Sequence, residues 1–439
     1  MNTASDLSLI EPRIARLVSC FMQTGVSESV ADSCHTVMNT VAQQAVSSSE
    51  GGKRLRALLV LNTFDAAMQS QPNSAVENIH HKEHEKDGKK SNAACHDTQH
   101  SDTPHNADQT YKTQQPHNTD QQYNASCNNT QRCATQHVDN QHSRNLTSEL
   151  RDAVLDLACA IEVFQTAALV HDDIIDESDL RRGKPSAHKA LETATDSIPI
   201  GRGLGIMLGD LLATASVDIA NTAASRLEQT SNVSANAIVS AFLNMHREVE
   251  IGQVLDLAVE LNPLNDPHQL ADASLNVFRW KTASYTTIAP LQFALLAAGY
   301  TPNTARLYAM DIGLPLGQAF QLADDLLDVV GSSRNTGKPV GGDIREGKRT
   351  VLLADALSGA NDNDRADLIH LFEAPARNDN DVHHVIDLFQ TTGAIERSRE
   401  RISTLWNQSR KAIQNMELAK TSQDELIAAC ARFVPDMSA

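Results

Sequence analysis

His171-Asp172-Asp173-Ile174-Ile175-Asp176 closes an apolar segment, Ala158 to Val170, whose hydrophobic positions recur at helical spacing. On a helix, Asp172 and Asp176 lie one turn apart on the same face, with side chains about 5–6 Å apart. Two carboxylates so placed can bridge hard divalent cations such as Mg²⁺, which takes oxygen ligands and retains several waters. A solvated acidic helix end would show the same letters. Acids at a helix C-terminus oppose the dipole, however, which favours cations there, and bound metal would offset that cost.

A second copy strengthens the metal reading. Phe320-Gln321-Leu322-Ala323-Asp324-Asp325-Leu326-Leu327-Asp328 repeats the spacing on another amphipathic segment. Two such motifs can face each other across a bundle core and hold metals between them. Basic residues punctuate the same regions. Arg181-Arg182-Gly183-Lys184-Pro185 follows the first motif, and Gly337-Lys338-Pro339 and Lys348 follow the second. Lys281-Thr282 ends a helical stretch, and Gly51-Gly52-Lys53-Arg54-Leu55-Arg56 opens one. One such cluster is usually a solvated face. Several of them, each beside a motif or a turn of an acidic chain, suit a polyanionic substrate, since Arg reads phosphate bidentately and Lys acts as a point charge.

Around the motifs the chain is helix-periodic almost throughout. Residues 1–70 carry apolar positions at helical spacing in Ile10–Met22 and Arg54–Met68, and the pattern resumes at 147 and continues nearly to residue 439. Pro and Gly gather in connections, and no segment alternates as a strand would, so the fold class expected is all-α. Between these parts, residues 71–146 are rich in His, Asn, Gln, Asp and Thr and nearly devoid of Leu, Ile and Phe. Such a segment cannot bury enough apolar surface to offset the entropy of ordering, and is expected to be a disordered insertion. Its His80, His81, His84, His96, His100 and His105 could bind a transition metal, but the Cys residues there lack metal-site spacing, and disordered polar tracts need no ligand to explain them. A loop at this place is cheap in closure entropy, so its deletion should spare activity.

The remaining bulk properties bound the function. The 439 residues carry a net charge of -18, a hydrophobic share of 41% and a mean hydropathy of -0.33. The acidic balance argues against a nucleic-acid partner, which needs clustered Lys and Arg. The seven Cys form no CxxC pair, and Met1–Leu17 lacks the basic-then-apolar pattern of an export signal. The longest uninterrupted apolar candidate, Ile288–Ala298, is far short of the roughly 18 residues a bilayer span needs. A cytoplasmic protein with no transmembrane segment is expected.

At these residues the chain resembles the trans-isoprenyl (polyprenyl) diphosphate synthase family, with a pattern similar to bacterial geranylgeranyl diphosphate synthases. The resemblance spans about residues 10–70 and 147–435 and rests on GGKRLR at Gly51–Arg56, HDDIIDESDLRRGKP at His171–Pro185, KTAS at Lys281–Ser284, FQLADDLLD at Phe320–Asp328 and GKPVGGD at Gly337–Asp343. It implies a single large helical bundle with a central substrate cavity, a homodimer, and three Mg²⁺ ions. It further implies that Asp172, Asp176 and Asp324 ligate metal directly, while Asp173, Asp325 and Asp328 act through water or orient the others. Arg181, Lys281 and Lys338 would hold an allylic diphosphate; Lys53, Arg56 and Arg182 would hold isopentenyl diphosphate; Thr282 and Gln321 would turn oxygen dipoles toward an allylic cation. The family pattern is departed from at Gln165, where many members carry His, and at Ala57, where Pro is usual. The C-terminus lacks the basic tail of some relatives.

The chemistry so implied is ionisation of the allylic diphosphate, attack by the double bond of isopentenyl diphosphate, and loss of a proton to the departing pyrophosphate. Chain length follows from helix geometry, since one turn advances about 5.4 Å, near one isoprene unit. One turn before Asp172 stand the small Ala167 and Ala168, where C15 synthases usually carry an aromatic residue; two turns before stands Phe164. Phe164 as the pocket floor predicts a C20 product, geranylgeranyl diphosphate. If Phe164 only packs the core, longer chains follow. A class I terpene cyclase and a non-catalytic partner subunit are the competing readings; the second DDxxD, GGKRLR and GKP weigh against the first, and six intact Asp against the second.

Overall fold

A computed structural model of the chain describes residues 3–23, 31–70, 130–231, 233–331 and 340–435. The chain divides into two compact units, Met1–Gln71 with Leu150–Ala439, and Pro72–Glu149. Most of the expected insertion, and with it His80 to His105, falls on residues outside those described, as does Lys338. Residues 130–146 differ from expectation: they are helical, as the start of a helix running Thr130–Ile175. No Pro or Gly interrupts them, and extending a formed helix costs far less than nucleating one.

The first unit is all-α, apart from a β-ribbon of two two-residue strands among the described residues, Leu180–Arg181 paired with Lys184–Pro185. The α-helices of the described residues are α1 (Thr3–Gln23), α2 (His35–Ser48), α3 (Leu55–Ser70), α4 (Thr130–Ile175, of which the first unit holds the part from Leu150), α5 (Ala187–Thr195), α6 (Ile198–Thr230), α7 (Ala235–Val259), α8 (Pro267–Val277), α9 (Ala289–Ala297), α10 (Pro302–Val330), α11 (Gly342–Glu346), α12 (Val351–Gly359), α13 (Asp362–Glu373), α14 (Asp379–Thr391), α15 (Ala394–Gln414) and α16 (Lys420–Cys430). Local chemistry sets many of the starts. Ser234, Asp266, Thr301, Thr350, Asn361 and Asn378 each accept a backbone N–H of the first turn, contributing about 1 kcal/mol apiece.

Apolar faces meet in two adjoining cores. One gathers α1, α3, α4, α6, α7 and α9; the other gathers α8, the C-terminal half of α10 and α12 to α15. Residues 150–170 of α4 are buried on nearly every side, which explains why their apolar run exceeds a one-faced stripe.

Lys281 and Thr282, expected at a helix end, lie inside an unbroken one. Between α8 and α9 the chain continues as a π-helical segment, Phe278–Ile288. Pro290 has no N–H to return to the preceding turn, and the ladder is widened just ahead of it. Two glycines let neighbours approach this segment. A Cβ at Gly252 of α7 would overlap the backbone of Lys281, and one at Gly317 of α10 would overlap Ala283. The widened turn is thereby clasped between α7 and α10.

Among the described residues, two helical stretches are apolar and long enough to cross a bilayer, Ser148–Ile175 and Ile198–Thr230, although neither is an uninterrupted apolar run. The first is a core helix, with 83% of its apolar window buried inside the protein; the figure for the second is 44%.

Candidate active site

Both aspartate motifs stand at helix ends that converge on the π segment. α4 stops at Ile175, so Asp172 and Asp173 occupy its last turn and Asp176 the first position beyond, with its N–H on Asp172 O at 2.9 Å. Asp324, Asp325 and Asp328 lie near the end of α10. Adjacent residues of the π segment reach the two motifs separately. Lys281 Nζ lies 3.1 Å from Asp172 Oδ1. Thr282 Oγ1 donates to Gln321 Oε1 at 2.8 Å, and Gln321 Nε2 donates to Asp325 Oδ1 at 2.8 Å.

The cations are placed among these carboxylates. Lys281 also contacts Asp256 Oδ2 at 2.6 Å; burial opposes its charge, but Asp172 and Asp256 outweigh burial and hold its pKa above the ordinary value. Arg181 makes a forked contact to the buried Asp173, with Nε at 2.9 and 3.2 Å from the two oxygens. Lys348 lies 3.7 Å from Asp176, 3.6 Å from Asp343 and 2.9 Å from Glu346, and these acids raise its pKa against the opposing effect of burial.

Several carboxyls are short of neutralising partners. Burial, and then the charge of Asp172, pushes Asp176 up. Burial, and then Asp343, pushes Asp325 well above the ordinary carboxylate range, and its buried Oδ2 has no hydrogen-bond partner. Asp343 is raised to about 6, chiefly by burial. Beside Asp325, Asp343, Lys348 and Thr350 is a cavity of about 10 Å³, room for about one water. Asp328 acts differently: its two oxygens accept the N–H groups of Gly342 at 3.1 Å and Asp343 at 3.0 Å, so it caps α11. Among the described residues, no three His, Cys, Asp or Glu side chains come together as ligands of one ion.

The GGKRLR segment meets the same π segment. Lys53 is exposed. Arg56 is buried, donates to Thr286 Oγ1 at 2.7 Å and lies 4.3 Å over the Tyr285 ring. Arg182 Nη1 donates to the carbonyls of Glu50 at 2.7 Å and Gly51 at 3.1 Å, tying the β-ribbon to this loop. Arg54, in the left-handed region at φ 51°, is not a surface cation: it is buried and pairs with Glu11 at 2.8 Å and Glu162 at 3.4 Å. Glu162 Oε1 also accepts the Ala57 N–H at 3.0 Å. A proline there could not donate that bond, so the unusual Ala57 has its counterpart in Glu162. Gln165 is half-buried, Ala167 buried and Ala168 half-buried. Phe164 is buried against His246, with centroids 4.1 Å apart, and against the edge of Tyr285 at 5.9 Å.

Two members of the cluster carry little sequence signal by themselves. Asp343 ends the GKPVGGD string, and Asp256 precedes Glu260 by four residues on an otherwise ordinary amphipathic helix. An acidic pair one turn apart, Asp256 in the last turn of α7 and Glu260 just past its end, is the trace that points to Asp256.

The model of the polyprenyl synthetase family matches residues 131–389. The chain belongs to the polyprenyl synthetase family. It is similar to the short chain isoprenyl diphosphate synthase of Methanothermobacter thermautotrophicus, 30% identical over 283 residues, which cover 63% of this chain and 78% of the relative. It is also similar to the octaprenyl diphosphate synthase of Escherichia coli, 29% identical over 57% of this chain and 69% of that one. Among solved structures, that of a geranylgeranyl pyrophosphate synthase from Corynebacterium glutamicum, complexed with isoprenyl diphosphate and magnesium, superposes with a TM-score of 0.67 at 25% identity over 99% of both chains. The polyprenyl synthetases are divalent-metal-dependent prenyltransferases, and this protein is a transferase that synthesises isoprenyl diphosphates.

Proposed function

We propose that this synthase condenses isopentenyl diphosphate with an allylic diphosphate, in trans geometry, and stops at C20, geranylgeranyl diphosphate. The observation that carries the reading is the π segment, where the adjacent Lys281 and Thr282 touch Asp172 of the first aspartate motif and Gln321, which holds Asp325 of the second, respectively.

The residues fit Mg²⁺, with three ions as the proposed number. The donors are hard carboxylate oxygens, and Asp325 Oδ2 is buried without a partner. The dispersal of the acids is also in keeping, because Mg²⁺ in phosphate chemistry takes one or two carboxylates and fills its shell with water and substrate oxygens. Asp172, Asp176 and Asp324 would hold the ions; Asp173 and Asp325 would orient the ligands, and Asp328 would fix the loop leading to Asp343. When bound, the ions supply Lewis-acid stabilisation of the leaving diphosphate.

The chain's own groups do the rest. Lys281, Arg181 and Lys338 bind and orient the allylic diphosphate, and Lys281 is pre-charged by its acid partners. Lys53, Arg56 and Arg182 take the isopentenyl diphosphate, with Gln165 as a neutral donor. Thr282 and Gln321 present fixed oxygen dipoles where positive charge develops. The apolar wall of α4, past the small Ala167 and Ala168 to Phe164, excludes water from the cation and receives the tail.

A homodimer is supported by exposed apolar residues on neighbouring helices, Ile206 and Met207 of α6 with Leu243, Val254 and Leu257 of α7, an unusual concentration for a monomer surface. Buried thiols at Cys159 and Cys430 are in keeping with a cytoplasmic location.

The test is incubation of the purified chain with Mg²⁺, isopentenyl diphosphate and farnesyl diphosphate, with products read by mass spectrometry. A dominant C20 product supports the full reading. A ladder to C30 and beyond keeps the condensation and removes the C20 stop. No Mg²⁺-dependent product from any allylic primer leaves a terpene cyclase or a non-catalytic partner subunit as the better description.

A further inference from the structure

The floor below Ala167 and Ala168 is built from more than Phe164. The Phe164 ring lies 4.1 Å, centroid to centroid, from His246 of α7, at an interplanar angle of 44°. His246 in turn lies 5.1 Å from Phe242, and Phe242 stacks on Phe293 of α9 at 5.3 Å. Tyr285 of the π segment closes the other edge of Phe164. At 4.1 Å two rings leave no room for an isoprene unit between them, so removing one ring leaves the other standing beneath.

His246 is also held in place. The buried Ser216 of α6 donates its hydroxyl proton to Ala213 O at 2.6 Å, and its oxygen lies 3.2 Å from His246 Nε2. A hydroxyl has one proton, and here it is committed to the carbonyl; the imidazole must therefore donate from Nε2. That bond selects the tautomer and stops the ring from swinging away. Burial keeps the imidazole neutral by lowering its pKa to about 4, so the ring is an uncharged wall at any ordinary assay pH.

From this geometry we infer that His246 is a specificity-determining residue, the second layer of the chain-length floor, placed under Phe164 from a different helix and positioned by Ser216. The inference rests on the C20 reading above. It explains why a single ring on α4 need not decide product length: the stop is shared between α4 and α7, and the two positions act non-additively, as directly packed residues do.

The experiment is a product-length comparison of the full chain and its variants with farnesyl diphosphate and isopentenyl diphosphate, alongside the rate of the first condensation and the melting temperature of each. The wild type comes first, because a main product beyond C20 there would remove the C20 reading, and this inference with it, before any variant is made. With a C20 wild type, Phe164→Ala is expected to add one unit and stop at C25. Phe164→Ala/His246→Ala is expected to continue to C30 and beyond, and Phe164→Ala/His246→Phe to restore the C25 stop. Ser216→Ala in the Phe164→Ala background should broaden the product distribution while leaving the KM for isopentenyl diphosphate unchanged, which a general loosening of the fold would not do. The inference is overturned if Phe164→Ala alone releases the same long products as the double variant, or if the double variant, still performing the first condensation at near wild-type rate, stops where Phe164→Ala stops.

Discussion

Lys281 Nζ sits 3.1 Å from Asp172 Oδ1, joining the widened π turn to the end of the helix that carries the first aspartate motif. With Asp256 on its other side at 2.6 Å, the ammonium is fixed before any diphosphate arrives, so no reorganisation is needed when negative charge develops beside it. Lys281→Ala is expected to lower kcat by about 10²–10³-fold without changing the melting temperature much. Asp256→Asn, which leaves the lysine but loosens it, should cost roughly tenfold. A Lys281→Ala enzyme with wild-type kcat in steady-state assays would show that the diphosphate is held elsewhere.

Acid crowding makes metal binding depend on pH. Burial raises Asp343 to about 6 and Asp325 well above its ordinary value. A carboxyl that holds its proton more tightly folded than unfolded contributes stability at low pH that is lost as pH rises. For Asp343 this loss spans roughly pH 4 to 6 in the metal-free protein. Added Mg²⁺ should therefore raise the melting temperature more at pH 7.5 than at pH 5, and chelation should abolish turnover. Equal thermal shifts at both values would contradict this.

Glu162 closes the Arg54 pocket. Glu162→Ala would leave Arg54 buried with the half-exposed Glu11 as its remaining carboxylate and the Ser49 carbonyl as a neutral acceptor, and would strip the acceptor from the Ala57 N–H. A loss of about 3 kcal/mol in urea unfolding is expected. Ala57→Pro removes only the donor and should cost about 1–3 kcal/mol. A neutral Glu162→Ala would mean that water or Glu11 satisfies the arginine fully.

His246 predicts a pH-dependent stability of opposite sense. Its folded pKa lies near 4, depressed by burial, so its contribution is fully present above about pH 6.5 and is lost as pH falls toward 4. The whole effect is up to about 3 kcal/mol. Wild type should lose stability relative to His246→Phe between pH 7 and pH 4.5; parallel curves would place the imidazole in contact with solvent.

Much of the site is legible from local spacing. Asp172 and Asp176, or Gln321 and Asp325, are one turn apart on their own helices, so the sequence states their shared face. Lys281 and Thr282 are visible as a pair, but not the π turn that aims one at each motif, since that depends on Pro290 together with the close approach of Gly252 and Gly317. The role of Asp328 as a cap for α11, and of Arg54 as an internal strut, is hidden for the same reason: each depends on a partner more than a dozen residues away.

The sequence alone therefore determined the all-α class, the two carboxylate motifs and the polyanionic character of the substrate, because helical period and i,i+4 spacing are local properties of a chain. Tertiary structure decided which cation meets which acid, which carboxyls are left short of partners, and what stands beneath Phe164. Those outcomes depend on packing between helices far apart in sequence. The 4.1 Å contact between Phe164 and His246 joins positions 82 residues apart on α4 and α7, and no periodicity in either helix encodes it.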